Sequence, residues 1–178
     1  MIMDAEIHTV IHLYIQHGFN FMADLRKALK NLDVSKLKTS SGKSVSEELK
    51  HHAAILADCI MYRLDEVYES YSSQIYKRTY NLYNAIYIVQ TPVLKIGTSG
   101  AAICISVLFD DSAIHQSLNG KYVDVAMLLN EGWQTHGSFA NVPYFGYRPG
   151  THFIEKGIED YKRKVNHPFD VQFIKNQQ

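Results

Sequence analysis

The chain is poor in the residues that mark several common protein classes. It has two cysteines and four prolines among 178 residues, and its eighteen basic side chains balance eighteen acidic ones. Because Cys59 and Cys104 each lie in an apolar context without a nearby partner, we expect small buried hydrophobes rather than a disulfide. The zero formal net charge disfavours a dedicated nucleic-acid-binding protein, which usually has a basic excess.

Long hydrophobic runs are also missing. No apolar stretch approaches the roughly 18 residues that a membrane-spanning helix needs. The first residues include Asp4 and Glu6 before any basic side chain and have no cleavable apolar core, which predicts that the protein is not exported. We therefore expect one domain over residues 1–178, made in the cytoplasm, and its 46% of hydrophobic residues suffice for a sizeable core.

Two long segments have the spacing of amphipathic helices. Over residues 6–32 apolar side chains recur at steps of three and four, which predicts a first helix. A polar stretch at 35–46, rich in Ser and Lys, predicts a mobile loop. Ser44 and Glu47 then form a capping-box pattern that starts a second long helix. Its apolar stripe runs through Leu49, Ala53, Leu56, Ile60, Leu64, Val67 and Tyr71.

The middle of the chain is rich in β-branched and aromatic residues. Residues 85–90, 92–96 and 101–109 are bounded by proline, glycine or aspartate, and they predict strands of one antiparallel sheet. Residues 122–130 have helical spacing and are followed by Gly132, which terminates helices readily. This pattern predicts a short helix after the strands.

The last third of the chain predicts a loop, a helix and a tail. Residues 132–150 combine glycine, proline and five aromatic residues, which is typical of a structured loop or irregular hairpin. Thr151 is a candidate cap for a helix through Val165, and its C-terminal end is basic. After Pro168, alternating Phe169, Val171 and Phe173 suit an added strand or a docking tail.

No motif for catalysis, a cofactor or a metal stands out. Gly42-Lys43-Ser44 lacks the glycine five residues earlier that a phosphate-binding loop needs, and residues 97–100 predict a turn. His8 and His12 are four residues apart on the first predicted helix, which leaves open a small metal-assisted cytoplasmic enzyme. The third ligand is not evident, and no nucleophile motif is present. We therefore predict no catalytic, cofactor-binding or metal-binding residues and a protein that is not an enzyme.

The order of several weak motifs resembles the tail-completion (neck) family of long-tailed bacteriophages and phage-tail-like particles. These motifs are a long helix, then Tyr76-Lys77-Arg78-Thr79 leading to Leu82 and Ile86, the strand region, residues 125–133 (VAMLLNEGW), and residues 150–154 (GTHFI). The resemblance covers residues 45–165. Tyr80 stands where such proteins often have glycine, and the tail at 166–178 has no counterpart.

The resemblance implies a virion protein with an α+β fold. Two long N-terminal helices would pack on a small antiparallel β-sheet, with a short helix and a C-terminal helix. The protein would form a homo-oligomeric ring, six copies as a first expectation and twelve as a second. This ring would join the head connector to the tail terminator or tail tube and let DNA pass, without sequence-specific binding and without a membrane.

Aromatic residues at 132–150 are the predicted contacts between subunits, because aromatic side chains and arginine are enriched at the centres of protein interfaces. The alternative is that they close the open end of the sheet. A host-factor-binding protein that uses the same loop is a further alternative function. Three basic residues at the end of the last helix, Lys162, Arg163 and Lys164, are either DNA-facing or an ordinary solvated helix end. The interface candidates are Trp133, Phe139, Tyr144, Phe145, Tyr147 and Arg148.

Overall fold

The computed structural model describes residues 10–17, 33–39, 42–70, 81–96, 101–116, 120–134 and 147–175. The helices are α1 (Val45–Ser70), α2 (Asn81–Asn84), α3 (Val125–Glu131) and α4 (Phe153–Lys164). The strands are β1 (Val10–His17), β2 (Ile86–Ile88), β3 (Val93–Ile96), β4 (Ala101–Phe109), β5 (Ile114–Gln116), β6 (Tyr122–Asp124), β7 (Gly132–Gln134), β8 (Tyr147–Pro149) and β9 (Asp170–Ile174). The chain is therefore α+β, as predicted.

A five-stranded antiparallel sheet forms the centre of the fold. Its order is β2-β4-β1-β9, and β3 pairs with β4 alongside β2. Strand β4 has nine residues and is paired on both edges, with β1 on one and with β2 and β3 on the other. Two further pairs, β5 with β6 and β7 with β8, form separate two-stranded sheets. The strands predicted at 85–90, 92–96 and 101–109 are confirmed as β2, β3 and β4, and so is their antiparallel pairing, although β2 is shorter than predicted.

Helices α1 and α4 pack together over the sheet. The predicted apolar stripe of α1 is confirmed where the structure describes it, because Leu49, Leu56 and Leu64 are fully buried. Alternate residues of β4 join the same core, and the ring of Phe109 meets the ring of Phe153 edge to face at 6.1 Å. Burying one such side chain contributes about 1.5–3 kcal/mol relative to leaving it exposed, so this stripe is a main source of stability.

The first predicted helix is wrong over residues 10–17, which form strand β1. This strand lies between β4 and β9 and pairs with both. A strand inside a sheet carries apolar residues at successive positions when both faces are covered, and a short run of this kind cannot be told from a helix by its spacing. The β-branched residues Val10, Ile11 and Ile15 favour the strand. The remainder of the predicted helix lies outside the described residues.

The second predicted helix is confirmed, and so is its start. Helix α1 begins at Val45, and the Glu47 amide donates to Ser44 Oγ at 3.4 Å. The described part of the preceding segment is a compact turn, in which Lys38 and Ser44 form an isolated β-bridge and the Thr39 amide donates to the Lys43 carbonyl. Among the described helices none combines the length and apolarity that crossing a lipid bilayer requires.

The short helix and the last helix each start later than predicted. Residues 122–124 are strand β6, and α3 begins after Asp124, whose carboxylate accepts the Met127 amide at 3.1 Å. Helix α4 begins at Phe153 rather than after a Thr151 cap, because the Thr151 hydroxyl donates instead to the Leu129 carbonyl at 2.9 Å. The predicted strand in the tail is confirmed as β9.

Candidate functional site

The two ends of the aromatic-rich segment 132–150 pair to form the base of a β-hairpin. Strands β7 and β8 pair in antiparallel register, which sets Trp133 opposite Arg148. The guanidinium carbon of Arg148 lies 4.9 Å from the centre of the Trp133 ring, a cation–π contact. Tyr147 is 65% exposed. Three of the six predicted interface residues are thus together, and Phe139, Tyr144 and Phe145 lie outside the described residues.

Two glycines allow the base of the hairpin to close. Gly132 has φ +86°, and a Cβ there would lie 2.4 Å from the Arg148 carbonyl oxygen. A Cβ on Gly150 would lie 2.3 Å from the Asn130 carbonyl oxygen. Any larger residue would have to push backbone away at both positions, so glycine holds the strands at this separation. The exposed Tyr147 therefore projects from a tightly packed base.

Buried Asn130 connects this base to α4. Its side-chain oxygen accepts the Ile154 amide at 3.0 Å, and its carbonyl oxygen accepts the His152 amide at 3.0 Å. The Ile154 amide belongs to the first turn of α4, where no intrahelical acceptor exists. His152, in the left-handed region at φ 52°, makes no side-chain cap. Asn130 therefore caps a helix from a distant part of the chain.

A polar cluster lies beside the hairpin base at the start of α4. One potential ligand atom from each of Glu131, His152 and Glu155 lies within 4.8 Å of the others, a grouping that suits a divalent cation in size. The Lys175 ammonium already lies there, 2.6 Å from Glu131 Oε1 and 3.3 Å from Glu155 Oε1. Its hydrogen bond lowers the pKa of Glu131. The other oxygen of Glu155 is buried and makes no hydrogen bond with the described residues.

Sequence reasoning missed this cluster. Glu131 ends α3, His152 and Glu155 lie on either side of the start of α4, and Lys175 follows β9. Lys175 is 44 residues from Glu131 along the chain. The only local signal is the three-residue spacing of His152 and Glu155, which would set both side chains on one face of the helix predicted there, whereas His152 in fact precedes α4. The positive charge of Lys175 balances the negative charge of one of the two carboxylates. The ion pairs with Lys175 therefore explain why Glu131 and Glu155 lie close together.

The three basic residues of α4 lie far from the hairpin. Lys162, Arg163 and Lys164 are exposed in the last turn, as predicted, and Arg163 pairs with Asp160. Eleven residue steps separate Phe153 from Lys164, which is roughly 16 Å along an α-helix. The predicted subunit contacts and the predicted DNA-facing residues are therefore at opposite ends of α4.

Neither cysteine of the chain is placed as a reactive nucleophile. Cys59 and Cys104 are both buried free thiols, as predicted, and burial raises the pKa of each, which disfavours the reactive thiolate. His12 lies on strand β1, so the premise that His8 and His12 share a helix face is wrong at His12, and His8 lies outside the described residues. The Lys43 ammonium pairs with Glu48, which gives the Gly42-Lys43-Ser44 segment a structural use.

Comparison with protein-family models, with curated protein sequences and with solved structures finds no match to this chain.

Proposed function

We propose that the protein is a structural subunit of a phage neck, which forms a ring between the head connector and the tail and lets DNA pass. Its location would be the virion. The observation that carries the proposal is the hairpin base, which presents the exposed Tyr147 on one face and the Arg148–Trp133 pair on the other. Exposed tyrosine with tryptophan and arginine is the composition of an interface centre.

The rigidity of the hairpin base supports an assembly role. An interface residue that is already held in place loses little conformational freedom on binding, so more of its contact energy appears as affinity. Gly132, Gly150 and Asn130 fix the base by close backbone contacts and by hydrogen bonds to α3 and α4. Copies of the chain would join head-to-tail, each hairpin contacting the next subunit, and such contacts close into a ring.

The position of the basic residues agrees with this arrangement. Lys162, Arg163 and Lys164 are at the far end of α4 from the hairpin, so a ring that joins through the hairpin leaves them free to face the lumen or a neighbouring ring. The formal charge of the whole chain is zero. The chain as a whole therefore has no basic excess that would hold passing DNA strongly.

The experiment is to measure oligomer mass and shape with and without the adjoining virion proteins. Mass photometry and negative-stain imaging would follow the purified chain alone and mixed with the head connector and tail proteins encoded beside it. We expect rings of about six or twelve subunits, a closed symmetry of the kind that head-to-tail contacts produce. A chain that stays monomeric with every such partner contradicts the proposal.

A matched pair of variants tests the hairpin itself. Tyr147→Ala should weaken the contact between subunits by about 5- to 150-fold, because truncating an interface anchor costs about 1–3 kcal/mol. Tyr122→Ala removes a tyrosine of nearly the same exposure, 62%, from a strand outside the hairpin, and it should leave assembly unchanged. Equal effects of the two substitutions would mean that the hairpin is not the contact surface.

A further inference from the structure

Three parts of the chain meet at one buried hydroxyl. Tyr161 on α4 is fully buried, and its oxygen accepts the Phe169 amide at 3.0 Å. The same oxygen lies 2.8 Å from Nδ1 of His52 on α1. The His52 ring stacks on the Phe169 ring with 4.1 Å between their centres. Phe169 directly precedes strand β9, so this contact ties β9 to both helices.

The hydrogen bonds determine where the protons are. Because the Phe169 amide donates to the Tyr161 oxygen, the hydroxyl proton is available for one further acceptor, and His52 Nδ1 is the partner within reach. If Nδ1 carried a proton instead, the Tyr161 proton would be left in the core without a partner, which is unfavourable. This geometry therefore favours a neutral His52 with its proton on Nε2.

We propose that His52, Tyr161 and the Phe169 amide form a proton-sensitive latch, which holds β9 on the sheet at neutral pH and releases it in mild acid. Protonating His52 converts Nδ1 from an acceptor into a donor, so the Tyr161 oxygen faces two donors and its own proton loses its acceptor. The latch operates in the isolated chain, whether or not the chain forms a ring.

The charges around His52 set the pH range. Burial lowers the pKa of His52 below its ordinary value of 6.5, and His51 lowers it further, whereas Glu48 acts in the opposite direction. On α4 the titratable group that faces the ring is Tyr161, and the segment before β9 contributes the apolar Phe169. A histidine with a lowered pKa is protonated more readily when the latch is open. The latch is therefore complete above about pH 6.5, and it weakens as the pH falls from that value through the lower pKa of His52 in the closed latch.

The segment that would be released is short and lies at the sheet edge. Within the described ranges strand β9 pairs with β1 alone, and β1 keeps its pairing with β4 when β9 leaves. Beyond the latch, Lys175 holds the end of the strand through Glu131 and Glu155. Edge segments of this kind open locally at a lower free energy than the whole protein.

Amide hydrogen exchange of residues 169–175 tests the latch at about pH 7.5 and about pH 5.5, above and below the ordinary histidine pKa. Rates are corrected for the intrinsic pH dependence of exchange. We expect the protection of this segment to fall several-fold more than that of α1 in the acid sample. Equal protection at both pH values would overturn the latch.

Two asparagine variants distinguish His52 from the other histidines. Asparagine at position 52 places an amide oxygen near the position of Nδ1 and does not titrate, so His52→Asn should remove the pH dependence. His51→Asn removes an exposed neighbouring histidine and should retain it. If His52→Asn keeps the wild-type acid response, the latch is wrong.

A measurement on the unaltered protein covers the case in which His52→Asn does not fold. The Cε1 proton of His52 is followed by NMR across the same pH range. A midpoint below 6.5 that coincides with the loss of protection at 169–175 supports the latch. A midpoint at or above that value, or one separate from the exchange transition, overturns it.

Discussion

The guanidinium of Arg148 on β8 covers the indole of Trp133 on the paired strand β7, and its carbon lies 4.9 Å from the ring centre. Trp133 is the single tryptophan of the chain, so fluorescence excited selectively at tryptophan reports on the surroundings of this one indole. The hairpin can therefore be observed directly in solution.

We expect Arg148→Gln to shift the Trp133 emission maximum to longer wavelength, because the indole loses its cover and meets more water. A cation–π contact at such a site is worth about 0.5–1 kcal/mol, so the overall stability should change little. Steady-state fluorescence and urea unfolding measure the two effects. Arg163→Gln, at the far end of α4, is the control and should leave the emission unchanged. An unshifted spectrum for Arg148→Gln would contradict the contact.

We expect Asp160→Asn to lower the thermal midpoint at neutral pH. Arg63 donates two hydrogen bonds to the Asp160 carboxylate and thereby joins α1 to α4. These bonds hold the pKa of Asp160 below its ordinary value of 3.8. A lowered pKa stabilises the fold above the unfolded value, and this contribution is lost as the pH falls through the folded value.

The midpoint difference between the wild type and Asp160→Asn should therefore be constant near neutral pH and shrink in strong acid. Thermal unfolding followed by circular dichroism at several pH values measures it. Glu159→Gln removes the same charge from the neighbouring exposed position and should have little effect. A difference that grows in acid would show that the ion pair is not its cause.

We expect Gly157→Ala to destabilise the protein even though alanine favours helices by about 1 kcal/mol over glycine. A Cβ on Gly157 would lie 2.8 Å from both Cα and Cγ1 of Ile60, so α4 would have to move away from α1. Such overpacking costs about 1–3 kcal/mol. Urea unfolding measures the change, and Glu159→Ala is the control on the exposed face. A raised urea midpoint for Gly157→Ala would contradict the close helix contact.

We expect Asn130→Ala to destabilise the fold by about 1–3 kcal/mol, because the buried Ile154 amide would lose its acceptor. The same change frees the end of α4 next to the hairpin, so Trp133 emission should respond as well. Asn84→Ala, at an exposed position at the end of α2, is the matched control. Unfolding by urea, followed by circular dichroism and by fluorescence, measures both effects. Equal stabilities of the two variants would contradict this capping role.

The sequence alone predicts the elements that have a long, regular apolar stripe or that are bounded by residues such as proline, glycine and aspartate. Helix α1 has 26 residues with a regular buried stripe, and its start at Val45 was predicted from the Ser44 capping pattern. Strands β3 and β4 are rich in β-branched residues and are bounded by proline, glycine and aspartate, a pattern that indicates strands. Local rules decide such elements.

The failures come from contacts between distant residues. Strand β1 was predicted as helix because its apolar residues suit either structure, and only pairing with β4 and β9 decides. The start of α4 was misplaced because its cap is Asn130, which no local pattern indicates. The cluster of Glu131, His152, Glu155 and Lys175 also joins three separate elements, so no spacing rule along the chain could assemble it.

The place of β1 between β4 and β9 has a kinetic consequence. Val10 pairs with Ile174, which lies 164 residues later in the chain. Contacts between residues so far apart in sequence slow folding. At a synthesis rate of about 5–20 residues per second, roughly 8–33 s pass between the emergence of these two residues from the ribosome. One edge of β1 is unpaired throughout that interval. Newly made protein is therefore most exposed to strand-mediated aggregation before its last segment arrives.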